Sequence, residues 1–452
     1  MRLREVARAI GGAVRGGDIE FDAVATDSRA LPASALFVAL RGERFDGHAF
    51  AARALEQGAA AVMIEACAGL DLAPAIVVDD TRLALGRLAA WHRGRMPARR
   101  LAITGSNGKT SVKEMSAAIL RAEAGEAAVL ATQGNLNNDI GVPLTLLRLN
   151  PGHRYAVIEM GMNHAGEIDY LTRLAQPDVA LVNNAMRAHL EGLGSVETIA
   201  RAKGEIYAGL TPDGVALINL DDPHTDLWQG LCQDKRVLTF GLSAQADVHA
   251  RAWRLEPLGT EIDIVTPAGA LTTRLAAPGL HNVRNAVAAT AAAHALGVAP
   301  EVIGRGLAAW QGTRGRLQVH PCILGARLID DSYNANPDSV AAAIEVLAAQ
   351  TGTRILVLGD MGELGPDGRE LHAEIGIRAR AAGIDRLFCL GELSAAAAAA
   401  FGPGGMHFER IEELLAEIEC ALAPDVTVLI KGSRFMKMER VVQSFLEAGQ
   451  CS

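Results

Sequence analysis

The sequence predicts an α/β protein of three domains, the last a doubly wound parallel sheet, and three observations carry that expectation. The chain has 452 residues, more than one hydrophobic core ordinarily organises, so length alone suggests roughly three domains. Half of the residues are hydrophobic but only 4% are aromatic; abundant alanine and glycine suit helices packed closely on parallel sheets. Short apolar runs alternate with helical stretches, most regularly beyond residue 316, as parallel strands joined by helical crossovers require.

The charge balance narrows the partners. A formal net charge of −9 argues against a general nucleic-acid or anionic-membrane surface and leaves room for a local basic pocket. Small-molecule substrates and no nucleic acid are expected. Six scattered cysteines, with no C-x-x-C pair and no zinc-knuckle spacing, read as reduced thiols. The amino terminus meets Glu5 before any sustained apolar stretch, and no run of 18 or more uncharged apolar residues follows. A cytoplasmic monomer without a transmembrane segment is the expectation.

Residues 1–82 form the first expected domain. Asp27, Ser28 and Arg29, and the loop 41–48 with Gly42, Gly47 and His48, sit beside apolar runs, where α/β folds place ligand contacts. Their ordinary reading, as turn formers and a surface histidine, stands equally at this point. A helix is predicted over 82–100, leading into a second domain over 83–314.

In that domain the apolar run Leu101, Ala102, Ile103 turns through Thr104, Gly105, Ser106, Asn107, Gly108, Lys109 and Thr110 into a segment with helical spacing of Val112, Met115 and Ile119. A buried strand that turns through glycines into a helix leaves backbone N–H groups at the positive end of the helix dipole, where phosphate oxygens bind. Lys109 adds a point charge near the terminal phosphates, and the Thr110 hydroxyl is placed to ligate Mg²⁺. The full G-x-x-x-x-G-K-[ST] pattern wants glycine where this chain has Ile103, so the loop is two residues shorter.

The glycine- and asparagine-rich residues 132–143 read as a loop with binding capacity. The apolar run 155–158 then delivers Glu159 at a strand end, on the side where ligands collect in open parallel sheets. A carboxylate beside a triphosphate needs a cation between them, which makes Glu159 the first Mg²⁺ ligand. The strand 179–182 runs on to Asn183, Asn184 and then His189, for which a ligand and a structural role are both open. A helix from about Ser195 carries Lys203, whose default reading is a solvated helix lysine. The stretch 248–265 reads as an antiparallel ribbon on the sheet edge, and residues 277–285 open an alanine-rich helix running to Leu296.

The third domain, 315–452, is predicted to contain strands at 327–330, 354–358, 386–390 and 426–430. The first leads into Asp331, Ser332, Tyr333, Asn334, Ala335, Asn336 and Pro337; two others end in the glycine-rich loop 359–365 and in Lys431, Gly432, Ser433, Arg434. Glycines that permit close backbone approach, with charges beside them, suit a zwitterionic or carboxylate ligand.

Taken in order, the shortened phosphate loop, Glu159-Met160-Gly161, His189, Lys203, the Gly279-x-His281-Asn282-x-x-Asn285 stretch and Gly315-Arg316 resemble the Mur ligase family over essentially the whole chain. The loops 331–337 and 359–365 resemble the branch that adds D-alanyl-D-alanine. The resemblance implies three domains, with a central P-loop-type mononucleotide-binding sheet and a C-terminal Rossmann-like sheet. It implies an ATP- and Mg²⁺-dependent amide ligase that joins D-alanyl-D-alanine to UDP-N-acetylmuramoyl-tripeptide through an acyl phosphate, for peptidoglycan precursor synthesis.

By the same carry-over Lys109, His189, Lys203 and Arg316 are catalytic, with Lys203 carried as a carbamate. Residues Gly105 to Ser111, with Asn282 and Asp331, hold ATP; Thr110, Glu159, His189 and Lys203 hold Mg²⁺. Ser28, Arg29, Asn135, Asn137 and Asn138 face the UDP-sugar, and Asn334, Asn336, Lys431 and Arg434 the dipeptide. A folylpolyglutamate synthase would share the ATP chemistry but need a pteridine pocket. Intact Lys109, Thr110, Glu159, His189 and Lys203 speak against a non-catalytic nucleotide-binding relative.

Overall fold

The computed structural model of the chain describes residues 1–42, 45–188 and 190–446, and three sheets organise them. The first has five strands. Ala35–Val38 and Ala61–Glu65 lie in its middle and are buried on both faces, which is why they read as unbroken apolar runs. Ala13–Arg15 pairs antiparallel with Ala75–Val78 at one edge. The helix Leu3–Ile10 covers one face with Leu3, Val6, Ala7 and Ile10, a spacing that makes one apolar stripe.

Helix Thr81–Arg93 joins the first unit to the second, giving Ala84, Leu85 and Leu88 to the first core and Ala89 to the next. It is shorter than the helix expected over 82–100: it stops at Arg93, and the strand Arg99–Thr104 has already begun by residue 100. Pro97 lies between them, with no N–H to continue the helical ladder.

The second sheet has nine strands. Arg99–Thr104 lies between Tyr155–Glu159 and Val179–Val182, parallel to both, so all three end at one crevice. Side chains alternate across the sheet: Leu101, Ile103 and Val157 face one core, Ala102, Ala156 and Ile158 the other. Helices Lys109–Ala124 and Leu280–Ala295 cover the first face; Glu167–Ala175 and Val196–Gly204 cover the second. Strands Val248–Glu256, Gly259–Thr266 and Gly269–Leu275 pair antiparallel at the far edge.

The third sheet has six strands; five are parallel, in the order Arg327–Asp331, Val426–Lys431, Thr353–Gly359, Arg386–Leu390, Gly405–Phe408. Gln318–Pro321 joins antiparallel at the edge. Gly405–Phe408 has no counterpart among the expected strands, because only Phe408 in it is buried and its sequence carries no apolar run. Among the described residues no helix is long and apolar enough to cross a membrane, and no disulfide joins two of the described cysteines.

Candidate active site

The phosphate loop is held open by side-chain amides. Gly108 has φ +79°, and a Cβ there would lie 2.3 Å from Asn285 Oδ1 and 2.5 Å from Asn183 Nδ2, so both conformation and space exclude a side chain. Asn183 Nδ2 donates to Asn107 O at 2.9 Å and to Asn285 Oδ1 at 3.1 Å. Asn107 N donates to Asn184 Oδ1 at 2.9 Å. Ser106 donates through N–H to Asn184 O at 3.0 Å, and its hydroxyl accepts from Met186 N at 2.9 Å. Asn183, Asn184 and Asn285 are thus supports that the sequence reading left out of the site, although two of them follow a strand end directly. Asn282, expected at the nucleoside, is buried and donates to Pro278 O at 2.8 Å.

Lys109 Nζ lies across the loop, donating to Gly105 O at 2.6 Å and Ser106 O at 3.2 Å. Desolvation lowers its pKa; Glu159 and Glu363 oppose that shift, and Arg316 adds to it. Thr110 is half-buried and Ser111 buried in the first turn of the helix.

Across the crevice Glu159 is buried at its strand end. Its N–H donates to Thr132 Oγ1 at 3.0 Å, and Oε1 accepts from Asn137 Nδ2 at 2.8 Å. Asn137, expected at the UDP-sugar, is therefore turned inward, onto the carboxylate. Glu159 Oε2 is buried with no hydrogen-bond partner among the described residues, a costly state for a charged group unless a ligand completes it.

Lys203, expected by default on a solvated face, is 1% exposed. Desolvation first, and the Lys109 ammonium second, push its pKa well below the usual lysine value. Among the described residues it has no ion-pair partner. His189 lies outside the described residues. No group of three His, Cys, Asp or Glu side chains among the described residues could cage a metal. Mg²⁺ is ordinarily held by one or two carboxylates together with substrate phosphates and water. The orphaned oxygen of Glu159 fits such an ion.

The third unit closes one side of the crevice. Buried Asp331 and Lys431 form a 2.5 Å bridge, and Lys431 also donates to Asn334 O at 2.9 Å. Burial pushes the Asp331 carboxyl up and the Lys431 ammonium down, each opposed by its partner. Arg316 lies over the Tyr333 ring at 4.3 Å, and Arg434, paired to Glu439 at 3.0 Å, lies at 5.5 Å from the same ring.

Asn336 caps helix Pro337–Ala348 by accepting from Ser339 N at 2.9 Å, and its Nδ2 donates to Asn107 Oδ1 at 2.8 Å. Two residues given to the dipeptide in the sequence reading, Asn336 and Lys431, are thus engaged within the protein. Glu191 N donates to Glu363 O at 3.2 Å, which brings the loop 359–365 onto the central unit.

In the first unit, Ser28 and Arg29 share the short helix Ser28–Ala30, with exposed Arg29 paired to Asp27 at 2.7 Å. Among the described residues neither makes a hydrogen bond or ion pair to the phosphate loop. Asn135 is exposed, and Asn138 Oδ1 accepts from Gly141 N at 2.9 Å. His48 is buried rather than superficial: Nδ1 meets Asp46 Oδ1 at 2.6 Å and Nε2 accepts from Glu65 N at 3.0 Å.

A phosphate loop facing a buried carboxylate across a strand-end crevice, with a second α/β unit closed against it, defines a P-loop enzyme that works on a nucleoside triphosphate. Models of the Mur ligase family match the chain as its catalytic domain over residues 20–93, its middle domain over 103–293 and its glutamate ligase domain over 315–434. The chain is 46% identical to the UDP-N-acetylmuramoyl-tripeptide--D-alanyl-D-alanine ligase of Escherichia coli, over 99% of each protein. The crystal structure of MurF from Acinetobacter baumannii is 37% identical, with a TM-score of 0.91 over 98% of this chain and 97% of that one. MurF from Thermotoga maritima, in complex with ADP, is 28% identical with a TM-score of 0.82 over 93% and 96%. The chain belongs to the Mur ligase family.

Proposed function

We propose that this protein joins D-alanyl-D-alanine to UDP-N-acetylmuramoyl-tripeptide, converting ATP to ADP and phosphate, in the cytoplasmic assembly of peptidoglycan precursors. The observation that carries the reading is the buried Glu159 Oε2, without a hydrogen-bond partner among the described residues, within electrostatic reach of the phosphate-loop lysine; the full-length likeness to the E. coli ligase supplies the substrates.

The tripeptide's terminal carboxylate is a poor electrophile. Its attack on the γ-phosphate of ATP yields an acyl phosphate and ADP, and the dipeptide amine then attacks the acyl carbon and expels phosphate. Mg²⁺, when bound, neutralises charge on the phosphate oxygens. The chain's residues supply position and charge, which is most of what phosphoryl transfer asks of a protein. Residues 105–111 cradle the phosphates, with Lys109 drawing negative charge from the transferred group. Thr110, Glu159, His189 and, as a carbamate, Lys203 would hold the metal, and Asn137 orients Glu159.

Burial beside Lys109 favours the neutral Lys203 amine, the form that adds CO₂ to give a carbamate and a proton. The anion so formed can approach a cation that an ammonium would repel. Arg316 lies within electrostatic reach of both Lys109 and the Asp331–Lys431 bridge, where it balances charge on the acyl phosphate. Asn282 and Asp331 face the nucleoside, and Ser28, Arg29, Asn135 and Asn138 the UDP-sugar. Asn334 and Arg434 meet the dipeptide, while Asn336 and Lys431 keep their loop in shape. Residues 1–82, 83–314 and 315–452 are the corresponding substrate, nucleotide and dipeptide units.

Purified protein with ATP, Mg²⁺ and UDP-N-acetylmuramoyl-tripeptide should release phosphate when D-alanyl-D-alanine is added, with a product heavier by the dipeptide residue. Phosphate release with glutamate or a single amino acid, and none with the dipeptide, would overturn the assignment.

A further inference from the structure

Arg187 lies in the segment that leaves strand Val179–Val182, and the third unit holds its guanidinium with two carboxylates. Nε and Nη2 donate to Asp338 Oδ1 at 3.0 and 2.8 Å, and Nη1 donates to Glu374 Oε2 at 3.0 Å. The Arg187 backbone N–H donates to Asp338 Oδ2 at 2.8 Å. Asp338 stands in the first turn of helix Pro337–Ala348 and Glu374 within helix Gly368–Ala381. One arginine therefore ties two helices of the third unit to a loop of the second.

An isolated surface ion pair contributes little. This one is a fork shared by two carboxylates, with Arg187 and Asp338 both less than a third exposed, and fixed fork geometry is what distinguishes arginine from lysine. Its position matters as much as its strength. Asn184 and Met186, in the same segment, bond Ser106 and Asn107 of the phosphate loop, while Asn336, two residues before Asp338, bonds Asn107 directly. The start of one helix in the third unit thus reaches the phosphate loop by two routes.

We infer that Arg187 is a positioning residue that holds the third unit closed on the nucleotide and, through the segment 183–188, couples that closure to the geometry of Ser106 and Asn107. The inference rests on the proposed function in one respect, that the third unit brings the dipeptide. A population shift toward an open arrangement weakens apparent binding of whatever ligand needs closure. Loss of the latch should fall on the dipeptide and spare the UDP-substrate, which the first unit holds.

The test compares Arg187→Ala, Arg187→Lys, Asp338→Asn and Glu374→Gln with the parent in the full chain. Arg187→Ala should raise the KM for D-alanyl-D-alanine by about fivefold or more, within the range of couplings measured for residues in one network. The KM for the UDP-substrate and the melting temperature should stay close to the parent's. Arg187→Lys should restore part of the loss, and Glu374→Gln, which keeps the Arg187 backbone contact with Asp338 intact, should shift the same KM by about twofold.

Small-angle scattering with ATP and Mg²⁺, but no acceptor, should show the alanine variant more extended than the parent. A parent-like scattering profile and dipeptide KM for Arg187→Ala would overturn the latch. So would an effect confined to Arg187 variants, with Asp338→Asn and Glu374→Gln silent. If no protein, parent included, ligates the dipeptide, the functional reading fails, while scattering still decides the latch.

Discussion

The phosphate loop and the Glu159–Lys203 corner face one crevice but treat their polar groups differently. Around the loop, Asn107, Asn183, Asn184 and Asn285 exchange hydrogen bonds with one another or with backbone, and Gly108 leaves them no spare room. At the corner, Glu159 keeps one buried oxygen without a hydrogen-bond partner among the described residues, and Lys203 is buried within electrostatic reach of the Lys109 ammonium. Satisfied amides fix a shape, whereas unsatisfied charges lower stability and persist where a ligand completes them. The loop is thus the template and the corner the place where chemistry enters.

Four changes would break or sharpen that contrast. Lys109→Ala should cost on the order of a hundredfold or more in phosphate release, as loss of one transition-state electrostatic contact does; turnover within about tenfold of the parent would remove Lys109 from the phosphoryl group. Lys203→Ala should lose most activity yet melt no lower than the parent, because it deletes a desolvated buried amine that has no ion-pair partner among the described residues. Added formate or acetate should restore part of the rate if a carbamate is what was lost; a fully active alanine variant would make Lys203 structural.

Gly108→Ala should act in the opposite sense on stability, costing about 1–3 kcal/mol by forcing a side chain into left-handed backbone and onto the Asn183–Asn285 bond. Chemical denaturation reads this directly, and an unchanged midpoint would show that the amides can shift.

The smallest effect is that of pH. His372 is fully buried; its Nε2 accepts from Met361 N and its Nδ1 hydrogen donates to Gly368 O, so it is neutral, and burial lowers its pKa. His281 is held at about 4 by desolvation, Lys431 and Arg284. In both, the unfolded chain binds the proton more readily, so the stability they contribute is whole above the unfolded value of 6.5 and declines as pH falls toward the folded values. Melting temperature measured downward from pH 7 should fall less steeply in His372→Gln than in the parent.

How much of this was legible followed how local its cause is. The phosphate loop reads from seven consecutive residues because glycine conformation and helix start are local matters. Glu159 reads from one strand and the rule that ligands gather at strand ends. Lys203 does not, since the burial of one lysine on the helix Val196–Gly204 is decided by how that helix lies on the sheet. Asn137 and Asn336, which the resemblance assigns to the UDP-sugar and the dipeptide, instead bond Glu159 and Asn107, partners 22 and 229 positions away. Arg187 depends on the same long-range arrangement, meeting Asp338 across 151 positions.

The two links from helix Pro337–Ala348 to the central unit differ in kind: the Asn336–Asn107 amide pair is neutral, and the Arg187 fork is ionic and partly open to water. Dissolved ions screen charges at the protein surface over about 8 Å at physiological strength and leave amide pairs nearly untouched. Rising salt therefore loosens one fastening and spares the other, so that the start of helix Pro337–Ala348 is held to the central unit increasingly by the Asn336–Asn107 amide pair at the phosphate loop. The ionic strength of the surrounding medium becomes a dial on how firmly the enzyme shuts, acting without any change in ligand concentration.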